Sequence, residues 1–244
     1  MSDALTARQT QILKTIIDEY IELAEPVGSE SLDKRYNLGV SPATIRNEMF
    51  SLTKMGYLRQ PHTSAGRIPT PRAMKFYIDQ LMEEKQMSVA EEVKAKEEVV
   101  GARQDISVLL DEATHELAHI TKSLSVATLD EDDKIWHSGY AYVFSNPEFT
   151  DLETTMHLFS FLEEAQQMHE LFFGRMTGSS PVEVIFGEEL GWPGFYPIGV
   201  VGTRFVCRGK QGALGVIGPS RLAYPRIIPI VRYFKDLIEQ AYKP

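Results

Sequence analysis

The stretch "SPATIRNEM", residues 41–49, has the composition of a helix start and constrains the fold of the chain more than any other segment. Ser41 is a favoured N-cap residue, and Pro42 suits the first helical position because its missing N–H would have no partner there. One apolar stripe at helical spacing must face a core, namely Ile45, Met49, Leu52 and Met55. The opposite face is mostly polar: Ala43, Arg46, Asn47, Phe50 and Lys54. Gly56 is expected to end this helix.

Two helices are predicted before this one, and a small hairpin is predicted after it. The first covers residues 7–23 with a capping box at its start, and a short second helix covers 30–36 before a turn over 37–39. Two extended runs, 57–60 and 67–69, flank a Ser-Ala-Gly turn, and a fourth helix continues to residue 81. Three helices followed by a hairpin with an arginine on each arm are the order of a winged helix-turn-helix.

The charge distribution agrees with a DNA-binding module at this end of the chain. The formal net charge of the whole chain is −9, which disfavours nucleic acid as a partner. Residues 1–82, however, have a net charge of +1, and residues 35–77 alone have a net charge of +6. The local excess of cations is the electrostatic pattern that a phosphate backbone attracts.

The residue types on the predicted third helix match those that bind DNA from a recognition helix. We expect Thr44, Arg46 and Asn47 to contact base edges, because arginine pairs with guanine and asparagine with adenine in the major groove. Backbone or minor-groove contacts are expected from Ser41, Lys54, Arg59 and Arg67, with Arg72 and Lys75 as weaker candidates. Phe50 could reach a thymine methyl group. A winged helix that binds a protein instead of DNA remains an alternative.

The remainder of the chain has a mixed pattern of helices and strands. The acidic stretch 83–101 predicts a solvated connector helix that Gly101 interrupts. Further helices are predicted over 106–122, over 150–173 and from about Ile227, where Pro229 would then lie in the first turn. Strands are predicted at 124–129, 140–144, 182–186, 198–207 and 213–217.

A second motif, "HELAH" at residues 115–119, suggests a different chemistry. Two histidines at i and i+4 on a helix can bind zinc, and the intervening glutamate can activate water. His115 and His119 are therefore candidate metal ligands, for a metal-sensing regulator or, more remotely, a zinc hydrolase. The alternative is two histidines on the exposed side of a helix, and no other pattern in the sequence indicates a cofactor or an enzyme.

Composition gives expectations about compartment. No apolar run of 18 residues and no signal-peptide pattern is present, so we expect a cytoplasmic, nucleoid-associated protein without a membrane partner. The single cysteine, Cys207, fits a reducing compartment and is expected to be a buried apolar residue in a strand.

Several strings resemble one bacterial family closely. "SPATIRNEM", "GYL" and "PHTSAGRIPT" at residues 41–70 are similar to the DNA-binding domain of the heat-inducible transcription repressor HrcA family. "NPEFTDLE" at 146–153 and "GALGVIGPSRLAYPRIIPIV" at 212–231 resemble its C-terminal part. The chain differs from the family in being shorter between Leu129 and Tyr140, and Phe50 is bulkier than the small residue expected there.

The resemblance implies an α+β fold in three parts. These are a winged helix over 1–82, a connector helix over 83–101, and a shortened GAF-like mixed α/β domain over 102–244 that regulates and dimerises. It also implies a homodimer that binds an inverted-repeat operator of double-stranded DNA, called CIRCE, and represses chaperonin and related heat-shock genes until heat stress releases it. The chaperonin itself is an implied partner.

Overall fold

A computed structural model describes residues 5–36, 38–131 and 133–242. The chain divides into two compact units, Met1–Glu83 and Glu84–Pro244. None of the helices within the described residues is both long and apolar enough to cross a membrane.

The first unit contains four helices and a two-stranded hairpin. The elements are α1 (Ala7–Leu23), α2 (Ser29–Arg35), α3 (Pro42–Lys54), β1 (Leu58–Arg59), β2 (Ile68–Pro69) and α4 (Pro71–Phe76), which continues as a π-helical turn over Tyr77–Leu81. Helices α1 and α2 both pack against α3. Their shared core consists of fully buried aliphatic side chains: Ile12, Leu13, Ile16, Ile17, Leu32, Ile45 and Leu52.

Local sequence signals set the helix boundaries of this unit. Thr6 and Gln9 form the predicted reciprocal capping box, and α1 has the predicted bounds. Gly56 follows α3 with φ +76°, a left-handed conformation that glycine adopts without steric cost. Of the predicted apolar stripe, Ile45, Met49 and Leu52 are buried and Met55 is half-buried. Asn37, in the predicted turn, lies outside the described residues.

The second unit is built around a five-stranded antiparallel sheet. Its strands are β3 (Leu124–Leu129), β4 (Ile135–Ser138), β5 (Glu183–Phe186), β6 (Ile198–Cys207) and β7 (Lys210–Pro219), in the order β4-β3-β7-β6-β5. Its helices are α5 (Val89–Gly101), α6 (Ile106–Thr121), α7 (Tyr140–Val143), α8 (Leu152–Glu163), α9 (Ala165–His169), α10 (Gly187–Leu190) and α11 (Tyr224–Gln240). A 3-10 turn covers Pro147–Thr150, and a π-helical segment covers Glu170–Arg175.

Helices cover both faces of the central strands, so β3 is buried along its whole length. Helices α6 and α11 pack on one face, and a core cluster that includes α8 packs on the other. Gly202 and Gly215 are paired across β6 and β7 beneath Phe172. A Cβ at Gly202 would lie 2.7 Å from the Phe172 ring and 2.5 Å from Met176 Cε. The two glycines therefore form the groove that accepts this ring. The mixed α/β unit is consistent with the GAF-like architecture.

The predicted strand over 140–144 is wrong, because Tyr140–Val143 is a short helix. Alternating aromatic and aliphatic residues favour a strand, but Gly139 redirects the chain with φ +96°. Any side chain at Gly139 would lie 2.4 Å from the carbonyl oxygen of Ser123. The strand of this region is β4, just before Gly139, and the sequence pattern did not predict it.

The prediction of one continuous helix over 150–173 is also wrong. The segment is divided at Glu164, whose backbone is extended at φ −106° and ψ 95°, into α8 and α9. Gly174, which was predicted to close the helix, lies within the π-helical segment Glu170–Arg175.

The predicted connector helix over 83–101 begins later than expected, at Val89, and ends at Gly101 instead of being interrupted there. Ser88 and Glu91 form a capping box at its start, which explains the boundary. Helix α5 is not fully solvated, since Ala95 and Val99 are completely buried and α5 packs against α6.

The last helix begins at Tyr224, so the prediction that Pro229 occupies a first turn is wrong. A proline inside a helix leaves the carbonyl four residues earlier without its usual donor. That carbonyl belongs to Pro225, and the backbone N–H of Lys85 donates to it at 2.7 Å. A hydrogen bond from the segment before α5 thus replaces the missing helical one.

Candidate nucleic-acid interface

The N-terminus of α3 is capped as the sequence predicted. Ser41 Oγ accepts a hydrogen bond from the backbone N–H of Thr44 at 3.2 Å, and Pro42 occupies the first helical position. The Thr44 hydroxyl lies 3.0 Å from Ser41 Oγ. Thr44 is therefore part of the cap, and its hydroxyl already has a partner within the chain.

The exposed face of α3 presents the other predicted base-contacting residues. Arg46 and Asn47 are exposed, and neither side chain has a hydrogen bond or ion pair with any residue that the structure describes. Phe50 is 53% exposed on the same face. The Lys54 ammonium lies 4.6 Å from the centroid of the Phe50 ring, a cation–π distance. Arg46, Asn47 and Lys54 therefore give the outer face of α3 several hydrogen-bond donors, and Phe50 adds an apolar surface.

The acid within the basic segment, Glu48, is directed toward α1. Its side chain is only 20% exposed, lies 3.7 Å from the guanidinium of Arg8, and accepts a hydrogen bond from Gln9 at 3.1 Å. The outer face of α3, all of whose residues are described, consequently presents no carboxylate to an approaching phosphate.

The wing hairpin is attached to the helical part of the unit by its backbone. Leu58 pairs with Pro69, and Arg59 pairs with Ile68. Val27 adds an antiparallel bridge, with hydrogen bonds of 2.9 and 2.8 Å between its backbone and that of Arg67. Gly66 makes this approach sterically feasible, since a Cβ there would lie 2.4 Å from the carbonyl oxygen of Val27.

Two side chains stabilise the wing hairpin by hydrogen bonds. Gln60 donates through its amide nitrogen to the carbonyl oxygens of Thr63 and Ala65, both at 2.9 Å, and so closes the loop at the wing tip. Arg67 is half-buried and donates through Nε to Thr53 Oγ1 at 3.2 Å. The Thr53 hydroxyl in turn donates to the carbonyl of Met49 in α3 at 2.8 Å. A chain of hydrogen bonds therefore links the wing arginine to the recognition helix.

The structure brings some of the predicted cations together but not all of them. Arg46 and Arg67 line one cleft of about 390 Å³ between α3, the wing and the start of α2, together with Gln60 and Glu30. Arg59 is half-buried on β1. Arg72 donates to the carbonyl of Met55 at 2.7 Å and its guanidinium lies 4.5 Å from the Tyr57 ring, so it caps the C-terminus of α3.

Three residues that position the wing were not identified from the sequence: Thr53, Gln60 and Gly66. The string "PHTSAGR" indicated a turn, but no periodicity signals that its glycine meets Val27 or that its arginine bonds back to α3. The sequence offers one signal for this contact, namely a glycine directly before an arginine within a turn.

The HELAH motif lies on α6, as predicted, but its glutamate has a structural partner. Glu116 is buried and accepts two hydrogen bonds from Lys94 of α5, at 2.9 and 3.0 Å. His115 and His119 are both exposed. Within residues 5–36, 38–131 and 133–242, no three His, Cys, Asp or Glu side chains are grouped as a metal site requires. The geometry thus matches the interpretation of two surface histidines beside an interhelical ion pair.

Comparison with known families gives two overlapping matches. A model described as "Winged helix-turn-helix transcription repressor, HrcA DNA-binding" matches residues 4–97. A second, described as "HrcA protein C terminal domain", matches residues 71–228. Together the two matches cover both compact units of the chain.

Individual relatives agree with these models. A heat-inducible transcription repressor HrcA of Acetivibrio thermocellus is 46% identical over 127 residues, which are 52% of this chain and 36% of that protein. The HrcA repressor of Moorella thermoacetica is 25% identical over 334 aligned positions covering 96% of each chain. Because those positions outnumber the 244 residues here, that relative contains segments this chain lacks.

One solved structure has the same fold. A crystal structure described as that of a hypothetical protein at 2.2 Å resolution superimposes with a TM-score of 0.74 at 18% sequence identity, covering 98% of this chain and 99% of that one. At this identity the likeness concerns the fold alone. With both family models matching, and with the recognition helix and wing in place, the chain belongs to the HrcA family of heat-inducible transcription repressors.

Proposed function

We propose that this protein is a sequence-specific transcriptional repressor that binds an inverted-repeat operator of heat-shock genes and leaves it under heat stress. The observation that carries the proposal is the outer face of α3, where Arg46 and Asn47 are exposed without partners in the described chain. Groups of this kind pair with base edges in the major groove. The relatives' printed names supply the repressor activity and its heat dependence.

The side chains divide into three roles. Arg46 and Asn47 recognise bases, and Phe50 contacts a thymine methyl group beside them. Ser41, Lys54, Arg59 and Arg67 contact the phosphate backbone and fix the register without reading sequence. Thr44 and Arg72 mainly stabilise α3, because each forms a hydrogen bond at one of its ends.

A homodimer suits an inverted repeat. Two copies related by a two-fold axis present two recognition helices to two half-sites, one helical turn of about 34–36 Å or a multiple of it apart. We assign DNA binding to residues 1–82, and regulation and dimerisation to 102–244, with α5 between them. A chaperonin is the proposed protein partner, and the cell compartment that follows from such a role is the cytoplasm at the nucleoid.

Replacing Thr53 with valine is expected to weaken binding to operator and random DNA alike, by about fivefold. The change removes the hydroxyl that holds Arg67, at a cost of about 1 kcal/mol, while leaving the side-chain volume nearly constant. Titration of labelled duplexes at fixed salt measures the effect. Thr53→Ser, which keeps the hydroxyl, is the matched control and should bind like the parent protein. Equal losses in the two variants would refute the positioning role of Thr53.

Footprinting of the purified full chain on the promoter of its own genome's chaperonin operon tests the proposed function. A protected inverted repeat that is absent from the Arg46→Ala footprint is the expected outcome. Protection of no DNA, with the protein folded and dimeric, would favour the alternative in which the winged helix binds another protein.

A further inference from the structure

The second unit contains an open cleft remote from α3 in the sequence and not used by the proposed DNA binding. It has a volume of about 680 Å³, within the range of small-molecule sites. The cleft lies where α8 ends and α9 begins, opposite the loop over 191–195.

The chain breaks its helix at this cleft although the local sequence does not require a break. Between Leu152 and Phe173 there is no glycine or proline, yet α8 stops at Glu163 and Glu164 is extended. A π-helical segment begins six residues later, at Glu170. Departures of this kind from local propensity concentrate at functional sites, and π-helical turns are frequent there.

Three aromatic rings form one wall of the cleft. The ring centroids of Phe161, Trp192 and Phe195 are separated by 5.2 to 5.7 Å, so each ring packs on the other two. Phe161 and Phe195 are buried, whereas Trp192 is half-buried and lies at the surface of the wall. The loop can approach this closely because Gly194, at φ +71°, lies against His157, where a Cβ would be 2.4 Å from the imidazole ring.

The charges around the aromatic wall are mainly negative. Glu164 and Glu170 line the cleft, and among the residues that the structure describes no lysine or arginine does. Behind the lining, Asp130 lies 2.7 Å from His169, Glu153 lies 4.0 Å from His157, and Arg175 pairs with Glu170 at 2.9 Å. An anion would meet the carboxylates of Glu164 and Glu170, of which Glu170 is already paired with Arg175, whereas a cation would find the carboxylate of Glu164 and the faces of aromatic rings.

We propose that this cleft binds a small organic cation, an amine, amidine or guanidine attached to a flat or apolar body. The body packs on Trp192, and the cationic head lies near Glu164 and Glu170. The ring faces and the carboxylates attract the same charge, so they select one class of ligand together.

Two pairs of probes with the same shape and opposite charge test the proposal on the full chain. Benzamidinium is compared with benzoate, and phenethylammonium with phenylacetate, by ligand-observed NMR and calorimetry up to about 10 mM, the range of weak small-molecule affinities. We expect saturable binding of at least one cation and none of either anion. Failure of both cations to bind, or equal binding of an anion, would overturn the proposal.

Glu164→Gln is expected to lower the affinity for the cation by about two- to fivefold, because it removes one exposed carboxylate from the cleft. Glu163→Gln is the matched control: Glu163 is the exposed neighbour that does not line the cleft, and its substitution should leave the affinity unchanged. The same loss in both variants would contradict a localised site. The affinity of the wild-type protein for operator DNA, measured without any ligand, tests the proposed repressor function independently of the cleft.

Discussion

Replacement of Arg46 with alanine is expected to weaken operator binding by about 1–3 kcal/mol, roughly 5- to 150-fold, and to relax base preference at the position it contacts. Arg46 is exposed near the start of α3, and its guanidinium is not committed to any described residue, so its removal should leave folding unchanged. A quantitative mobility-shift titration on operator and on random DNA, with thermal melting as a check of folding, measures both effects.

Arg46→Lys is the informative comparison. Lysine keeps the positive charge but lacks the planar fork that bonds guanine at two atoms. We expect it to bind random DNA like the parent protein and to lose much of the discrimination between operator and random sequence. If Arg46→Ala weakened both kinds of DNA equally, Arg46 would be a phosphate contact and not a base contact.

Substitution of Gly66 with alanine is expected to have the largest effect on the first unit. The new Cβ would lie 2.4 Å from the carbonyl oxygen of Val27 and 2.7 Å from that of Pro26, and neither backbone atom can rotate away. The two hydrogen bonds between Val27 and Arg67 must therefore break, which detaches the wing. We expect a loss of about 1–3 kcal/mol in the stability of this unit and a loss of DNA binding on all sequences.

Gly28→Ala serves as the control for this substitution, because Gly28 belongs to the same unit and a Cβ at that position would have no described atom within 4 Å beyond its chain neighbours. Its backbone is ordinary for any residue, at φ −98°, and the cost should stay below about 1 kcal/mol, the preference of an N-cap for glycine over alanine. Urea unfolding followed by circular dichroism compares the two variants. Similar midpoints for both would mean that the wing tolerates a side chain at Gly66.

The recognition helix could be predicted because its signals are local. Ser41, Pro42 and Gly56 mark its ends by hydrogen bonding and backbone geometry that involve only near neighbours, and the stripe from Ile45 to Leu52 marks its buried side. The same holds for α1 and its capping box. Arg46 and Asn47 lie on the side of the helix opposite this stripe, so their exposure could be predicted as well.

The positions of the wing and of several second-unit elements depend on contacts distant in sequence. Arg67 is predicted to contact the DNA backbone or minor groove, but its hydrogen bond to Thr53, 14 residues earlier, could not be predicted from the local sequence. Pro229 is tolerated inside α11 because Lys85 supplies a donor to Pro225. The segment 140–144 has strand propensity but follows Gly139, whose packing against Ser123 redirects the chain. In each case tertiary packing overrides a local preference.

Selection of binding sites from random double-stranded DNA by the full chain tests the central claim most directly, that α3 recognises bases in an inverted repeat. We expect wild-type protein to enrich two inverted half-sites at a fixed spacing of one helical turn or a multiple of it. Arg46→Ala should lose enrichment at one position in each half-site. Enrichment of no sequence, or the same sequence enriched by wild type and Arg46→Ala, would contradict the account.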